Sequence, residues 1–316
     1  MPFPQGMALF FYSYYFLGFF ISLLQIEFVF LQINPTHTTM KKIFTVLSLV
    51  LFACNMVVAK APIEIKTISY NIRTLSNDGE NRWEKRQHAT KNMLNTHKPD
   101  VFGLQEAMTA HLKYIDNVCP QYKRVGVGRD DGKMAGEVMA IYYNTERFDL
   151  IASGTFWLSE TPYEVTQGWD AACFRTVTWV RLRDKETRKK FFYFNTHLDH
   201  RGRVAQTESI KLIIKKIKEI AGERATVILG GDFNVVPEDE IFEPLNEFMH
   251  AARTTAAITE EKGTFNHFGK LKNPSVIDHI FYRGRKIECK EYHVLDGDYG
   301  APFISDHYPL EVVLSF

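Results

Sequence analysis

Six short polar blocks stand where apolar, β-rich runs of the sequence end: Ser69-Tyr-Asn71-Ile-Arg73, Gly103-Leu-Gln-Glu106, Asn195-Thr-His197-Leu-Asp199, Gly230-Gly-Asp232-Phe-Asn234, Ile277-Asp278-His279 and Ser305-Asp306-His307. Any one of them reads as a cap or a turn, positions that Asp, Asn and Ser serve routinely. Together they carry chemistry. Strands laid side by side would gather Asn71, Glu106, His197, Asp232, Asn234, Asp278, Asp306 and His307 at one rim, without matching arginines. Carboxylates so crowded repel one another unless a cation sits among them, and hard oxygen donors beside two imidazoles suit Mg²⁺ or Mn²⁺ better than zinc. A hard divalent cation in turn implies a phosphoester substrate. It offsets charge on a phosphoryl oxygen while imidazoles donate hydrogen bonds and an Asp activates or orients water.

The elements that must position these blocks follow from hydrophobic periodicity. Strands are predicted at Ile63–Tyr70, Asp100–Leu104, Tyr122–Gly126, Val138–Tyr143, Phe148–Leu158, Arg175–Arg183, Phe191–Thr196, Val227–Leu229, Val276–Phe281, Ile287–Leu295 and Tyr308–Leu314, with helices at Trp83–His97, Thr109–Val118 and Arg203–Ala221. In the last helix Val204, Ile210, Ile213, Ile214 and Ile217 follow helical spacing. Lys211, Lys215, Lys216 and Lys218 then read as a solvated face rather than a nucleic-acid patch. Many strands and few helices mixed along one chain argue for an α/β (α+β) fold: a four-layer α/β/β/α sandwich, two packed, mostly antiparallel sheets with outer helices and no internal domain boundary.

Of the 38 Lys and Arg and 37 Asp and Glu in the 316 residues, only Glu27, Lys41 and Lys42 precede residue 60, so basic and acidic groups balance in the part that folds. A hydrophobic share of 45% excludes a disordered chain. Zero net charge gives no sign of a long nucleic-acid groove, which draws its affinity from Lys and Arg on phosphates. Met40-Lys-Lys, the apolar run Ile43–Phe52 and the small residues of Val57-Val-Ala59 compose a signal peptide over 40–59, cleaved before Lys60. The alternative is a lipoprotein site with Cys54 lipidated, the one route by which the domain after the leader would be anchored to a membrane. Residues 1–39 read as an extension ahead of the true start at Met40, or else as a transmembrane segment, and 60–316 as the catalytic domain. The expected location is therefore exported, periplasmic or secreted. Cys119, Cys173 and Cys289 allow at most one bridge, show no metal-site spacing, and are not expected to need one.

In this order the six blocks resemble the endonuclease/exonuclease/phosphatase superfamily (deoxyribonuclease I-like), over about Ile65 to Leu314, with Gly-Asp-Phe-Asn and Ser-Asp-His the most specific parts. The blocks Gly126-Val-Gly-Arg-Asp-Asp-Gly132, Gly136-Glu137, Thr155–Pro162, Gly168-Trp-Asp170 and Thr196-His-Leu-Asp-His200 are similar to an exported bacterial branch of it. The resemblance implies that Glu106 is the principal metal ligand with Asn71 beside it and Asp306 assisting, and that Asp232 and Asn234 hold the attacking water and the phosphate. It implies that His197 and His307 flank the scissile phosphate, that Asp278 pairs with His307, and that Glu137 supports His197. Arg73 stands where abasic-site endonucleases carry an Asp ligand; a phosphate-binding cation replaces it, which with export argues against chromosomal repair. Arg175 is a second candidate for the substrate phosphate. Trp157, Tyr163 and Trp169 could wall the pocket.

The expected activity is a metal-dependent phosphoesterase attacking phosphorus directly with water, on a phosphodiester, either nucleic acid or a small diester. The alternative is a phosphomonoesterase on a sugar, inositol or lipid-headgroup phosphate. A catalytically inactive binding module would show a gap among the core positions, and there is none. No stable protein partner is expected, and the chain reads as a monomer.

Overall fold

The structure, a computed structural model, describes residues 62–316. The stretch 1–39, the leader 40–59 and Cys54 lie outside the described residues. The first sheet is built from β1 (Glu64–Asn71), β2 (Val101–Gln105), β3 (Tyr122–Val125), β4 (Ile141–Asn144), β11 (Glu288–Val294) and β12 (Leu310–Ser315), in the order β11-β12-β1-β2-β4-β3. The second is built from β5 (Phe148–Trp157), β6 (Thr176–Asp184), β7 (Lys190–His197), β8 (Val227–Asp232), β9 (His250–Ala251) and β10 (Asp278–Arg283), in the order β5-β6-β7-β8-β10-β9. Among the named strands of the described residues, only β1 with β2 and β7 with β8 pair in parallel and the other strand pairs are antiparallel.

Period-2 alternation sorts the strand residues between layers. Tyr193, Ile228 and Ile280 face the space between the sheets with Ile65, Val101 and Val312. Their neighbours Phe192, Phe194, Val227, Leu229 and Phe281 face outward, under helix α3 (Arg203–Ala221) and its Ile210, Ile213 and Ile217. On the other side Ile68, Tyr70, Phe102 and Leu104 meet α1 (Trp83–His97) and α2 (Thr109–Val118) through Met93, Leu94, Leu112 and Ile115. Three apolar layers between four polypeptide layers give the α/β/β/α sandwich. Two short helices, α4 (Glu243–Phe248) and α5 (Ala252–Thr255), follow β8 and were not legible from periodicity because neither spans two turns.

Three long helices have the predicted ends, whereas some positions differ. Val138 makes isolated bridges to Ala107 and Gly128 instead of opening β4. Val204 is 53% exposed at the first turn of α3. Lys216 is not solvated: it is 7% exposed, with its ammonium 4.5 Å from the ring centroid of Tyr163. Cys119, Cys173 and Cys289 are free thiols.

The start of α2 has a titratable cap. His111 is buried, its Nδ1 accepts from the Met108 N–H (2.9 Å), and its ring stands edge-on to Trp83 at 4.4 Å. Burial, helped by the Arg86 charge, pushes its pKa down to about 3. The unfolded chain therefore binds a proton below pH 6.5 that the folded chain refuses, so stability falls with pH between those values. Urea unfolding is expected to show His111 costing about 2 kcal/mol between pH 7 and pH 5. The His111→Asn variant, which keeps an acceptor near Nδ1, should lose that part of the pH dependence; an unchanged dependence would contradict the assignment.

Candidate active site

Parallel pairing of β1 with β2 and of β7 with β8 sends four carboxyl ends the same way, and the antiparallel partners β12 and β10 bring their amino ends to meet them. His197, Asp232 and Asp278 occupy one rung across β7, β8 and β10, so their side chains share a face. Asn71 closes the gap between sheets: its Nδ2 donates to Glu106 Oε1 (3.0 Å) and to Asp232 Oδ2 (2.9 Å). Close approach of the sheets here depends on glycine. A Cβ on Gly103 would fall 2.7 Å from Asn195 Cγ. Asn195 in turn crosses from β7 to the Leu104 and Ala140 carbonyls (2.8 and 3.0 Å) and accepts from Gln105 (2.7 Å).

Past the strand ends the backbone turns sharply through left-handed conformations at Arg73 (φ 61°), Glu106 (φ 58°) and Asn234 (φ 53°). Asn tolerates this; for Glu and Arg it is strain that neighbouring contacts must hold. Those contacts are the site itself: Arg73 N–H donates to Asn71 Oδ1 (3.0 Å), Thr74 N–H to Glu106 Oε2 (2.7 Å) and Asn234 N–H to Asp232 Oδ1 (2.9 Å). Arg86 of α1, wholly buried, donates to the carbonyls of Ile72 (2.6 Å), Arg73 (3.0 Å) and Ile304 (2.8 Å), binding the β1 turn to the segment ahead of Asp306. Ser305 Oγ adds a bond to Asn71 O (2.7 Å).

His307 Nδ1 lies 2.8 Å from Asp278 Oδ2, and Phe265 packs on the imidazole at 4.9 Å between centroids. Burial alone would lower the His307 pKa, but the carboxylates of Asp278 and Asp232 outweigh it and push it up to about 10. Asp232 lies between two imidazoles, its Oδ2 3.5 Å from His197 Nε2 and 3.8 Å from His307 Nε2. Burial and the Asp278 charge raise its pKa, against the pull of His307. His197 is driven the other way, by burial and the charges of Arg175 and Arg129. Of the pair it is the imidazole pushed toward the neutral form.

The remaining predicted residues are nearby with particular partners. Glu137 Oε2 stands 3.9 Å from His197 Nδ1, beyond hydrogen-bond reach, and is taken by Arg129 Nη1 at 2.5 Å. Arg73 reaches Asp78 (3.3 Å), Asp306 (3.6 Å) and Glu106 (4.0 Å), so the rim does contain an arginine among its carboxylates. Arg175 is buried against Asp199 (3.3 Å) and His200 (3.1 Å). Asn234 Nδ2 donates to Leu198 O (3.0 Å). Trp157 is buried and gives its indole N–H to Arg129 O (2.8 Å), so it packs the core, while Tyr163 is 72% exposed over Lys216. Arg86 and Arg129 were not singled out from the sequence, and Asn195 and Ser305 stood in its polar blocks without a role of their own. Arg129 stands inside the Gly126–Gly132 block, which was the one signal available for it.

The donor set fits a hard divalent ion. Glu106, Asp306 and the Asn71 amide offer oxygen only, and both carboxylates lie within reach of one guanidinium. Burial, then the Glu106 charge, raises the Asp306 pKa while His307 and Arg73 oppose. Such crowding is relieved by a cation. Asp232, Asp278 and His307 also bring one donor atom each within 4.8 Å of one another, but His307 Nδ1 is spent on Asp278. Cys173, Asp199 and His200 do likewise, yet the Asp199 oxygens already accept five N–H bonds.

Comparison with known proteins agrees with this geometry. The profile of the endonuclease/exonuclease/phosphatase family matches residues 68–307. The solved mannosyl-6-phosphatase of Bacteroides thetaiotaomicron is 36% identical, with a TM-score of 0.76, covering 80% of this chain and 100% of that one. An endonuclease/exonuclease/phosphatase from Bacteroides vulgatus is 35% identical at a TM-score of 0.76, covering 80% and 98%. An uncharacterised protein of Acanthamoeba polyphaga mimivirus is 26% identical over 255 residues, which is 73% of this chain and 92% of that protein.

Proposed function

We infer the reaction from the family: the chain belongs to the endonuclease/exonuclease/phosphatase family, whose members hydrolyse phosphoester bonds, and we propose that its own substrate is the phosphomonoester of a sugar. The observation that carries this is the 36% identity to a mannosyl-6-phosphatase along the whole of that chain. Charge supports it. A phosphomonoester has close to two negative charges at neutral pH, with a second pKa of about 6, and Arg73 adds a cation at the rim, among Asp78, Glu106 and Asp306. The leader read over Met40–Ala59 supports an exported enzyme.

In this reading Glu106, Asn71 and Asp306 would hold Mg²⁺ or Mn²⁺, which would supply charge compensation at a phosphoryl oxygen. Asp232 and Asn234 hold the attacking water, and Asp232 accepts its proton. His307, kept cationic by Asp278, donates to phosphoryl oxygens as charge builds on them. His197 donates from the opposite side of Asp232. No covalent enzyme intermediate forms.

The phosphodiester expected from the sequence is the second reading, favoured by the pair of imidazoles on either side of Asp232. The assay that separates them gives the purified protein mannose 6-phosphate, p-nitrophenyl phosphate, inositol phosphates, bis-p-nitrophenyl phosphate, single-stranded DNA and RNA, each with Mg²⁺, Mn²⁺ or EDTA. Mannose 6-phosphate is expected to be hydrolysed with a kcat/KM at least tenfold above that of any diester, and EDTA to abolish turnover. A preference for diesters would overturn the monoester reading; turnover undiminished by EDTA would overturn the metal.

A further inference from the structure

Beside His197 the structure holds one exposed histidine in a single proton-bonding state. Asp199 is buried, and its Oδ2 accepts from Ala172 N–H (3.0 Å), Cys173 N–H (3.3 Å) and Arg175 Nε (3.3 Å). Its Oδ1 accepts from Arg201 N–H (2.9 Å) and Gly202 N–H (2.8 Å). Burial would raise its pKa, but the backbone N–H groups, then Arg175, outweigh it and hold it at about 2. Asp199 is thus a fixed anion that orients the Arg175 guanidinium. Arg175 Nη2 meets His200 Nδ1 at 3.1 Å. A guanidinium has donors only, so Nδ1 must accept and the ring proton sits on Nε2. No described residue takes up that Nε2–H, and His200 is exposed. The residue is close to the reaction site: it stands three positions past His197, the last residue of β7 and the rung partner of Asp232.

We propose that His200 contacts the substrate directly, donating its Nε2–H to an acceptor oxygen of the sugar phosphate, with Arg175 and Asp199 as the positioning residues that fix its tautomer. The acceptor is a sugar hydroxyl or a non-bridging phosphate oxygen. This assignment takes its substrate from the phosphomonoester reading, while the tautomer is independent of it. A ring fixed this way meets an oxygen acceptor without first losing rotamer and tautomer freedom, so its contribution appears in binding.

The test combines a spectrum with a substitution series at an exposed position that leaves the fold intact. Nitrogen-15 histidine spectra of the purified protein at pH 7 should show His200 as the Nε2–H tautomer. His200→Ala should raise KM for mannose 6-phosphate at least tenfold while changing kcat less than threefold. His200→Gln, whose amide nitrogen falls near the place of Nε2, should recover most of the loss, and His200→Asn, whose amide falls near Nδ1, should not. The same KM loss on p-nitrophenyl phosphate would identify a phosphate oxygen as acceptor; a loss confined to the sugar substrate would identify a hydroxyl. An Nδ1–H tautomer, or unchanged KM on both substrates, would overturn the proposal. If the wild-type protein turns over no monoester, the phosphomonoester reading fails by itself. The tautomer and the KM of the same variants on bis-p-nitrophenyl phosphate then decide the role of His200, unchanged KM overturning it.

Discussion

Replacing His307 by alanine is expected to lower kcat by about 10²–10³-fold, the cost typical of losing one preorganised donor to a developing oxyanion. The reason lies in what surrounds the ring. His307 is buried, bonded through Nδ1 to Asp278 at 2.8 Å, and raised to about 10 because two further carboxylates, Asp232 and Asp306, join Asp278 in outweighing burial. It is held toward the cationic form at neutral pH, and among the described residues its Nε2 has its charged partner in Asp232 Oδ2, 3.8 Å away. A donor engaged only when charge develops lowers kcat and kcat/KM together. Removing it also leaves Asp232 and Asp278 buried without their shared cation, so the variant must be compared at a temperature where melting curves show it folded. Asp278→Asn should reproduce part of the loss, and the double variant should be little worse than His307→Ala alone, since both act through one ring. A His307→Ala enzyme within tenfold of wild type would remove His307 from the mechanism.

Glu106→Gln is expected to weaken Mn²⁺ binding by at least about 10–100-fold, the loss already typical of removing a mere outer partner of a metal ligand. Glu106 has no spare geometry to compensate. Its Oε1 accepts from Asn71 Nδ2 at 3.0 Å and its Oε2 from Thr74 N–H at 2.7 Å, on a backbone held at φ 58°. An amide must turn its NH₂ toward one of these donors, so the substitution removes the charge and costs about 1 kcal/mol in a lost hydrogen bond. Calorimetric titration measures the first effect. Thermal unfolding gives a second readout, because an ion that binds only the folded chain stabilises it by about 2.7 kcal/mol at 100 times its Kd; the variant should lose that increment. Unchanged Mn²⁺ affinity in Glu106→Gln would mean that the ion is held elsewhere, with Asp232 and Asp278 the next carboxylates to test.

The strands that matter were legible because apolar runs stop at polar residues: β1 ends at Asn71 and β7 at His197, each one residue past its predicted end, while β8 continues beyond the predicted Leu229 through Gly230 and Gly231 to Asp232. Less legible were elements whose order comes from contacts distant in sequence. The short helices after β8 form against the sheet rather than by periodicity, and Val138 is ordered by bridges to Ala107 and Gly128. Lys216 illustrates the limit of helical spacing: a lysine among lysines packs under Tyr163 because the 158–173 loop crosses it there.

By itself the sequence determined the inventory of the site. Hard oxygen donors, two imidazoles and six polar strand ends in one order constrain the chemistry whatever the exact shape, since residue type sets charge and donor capacity. Beyond the Asp278–His307 pair, which the resemblance already implied, only the tertiary structure decided the pairings. Arg129 rather than His197 holds Glu137, Arg73 lies among Asp78, Asp306 and Glu106, and Arg175 turns to Asp199 and His200. Hydrogen bonds reach about 3 Å and Coulomb attraction weakens with separation, so partnership depends on distances between segments that sequence spacing does not encode.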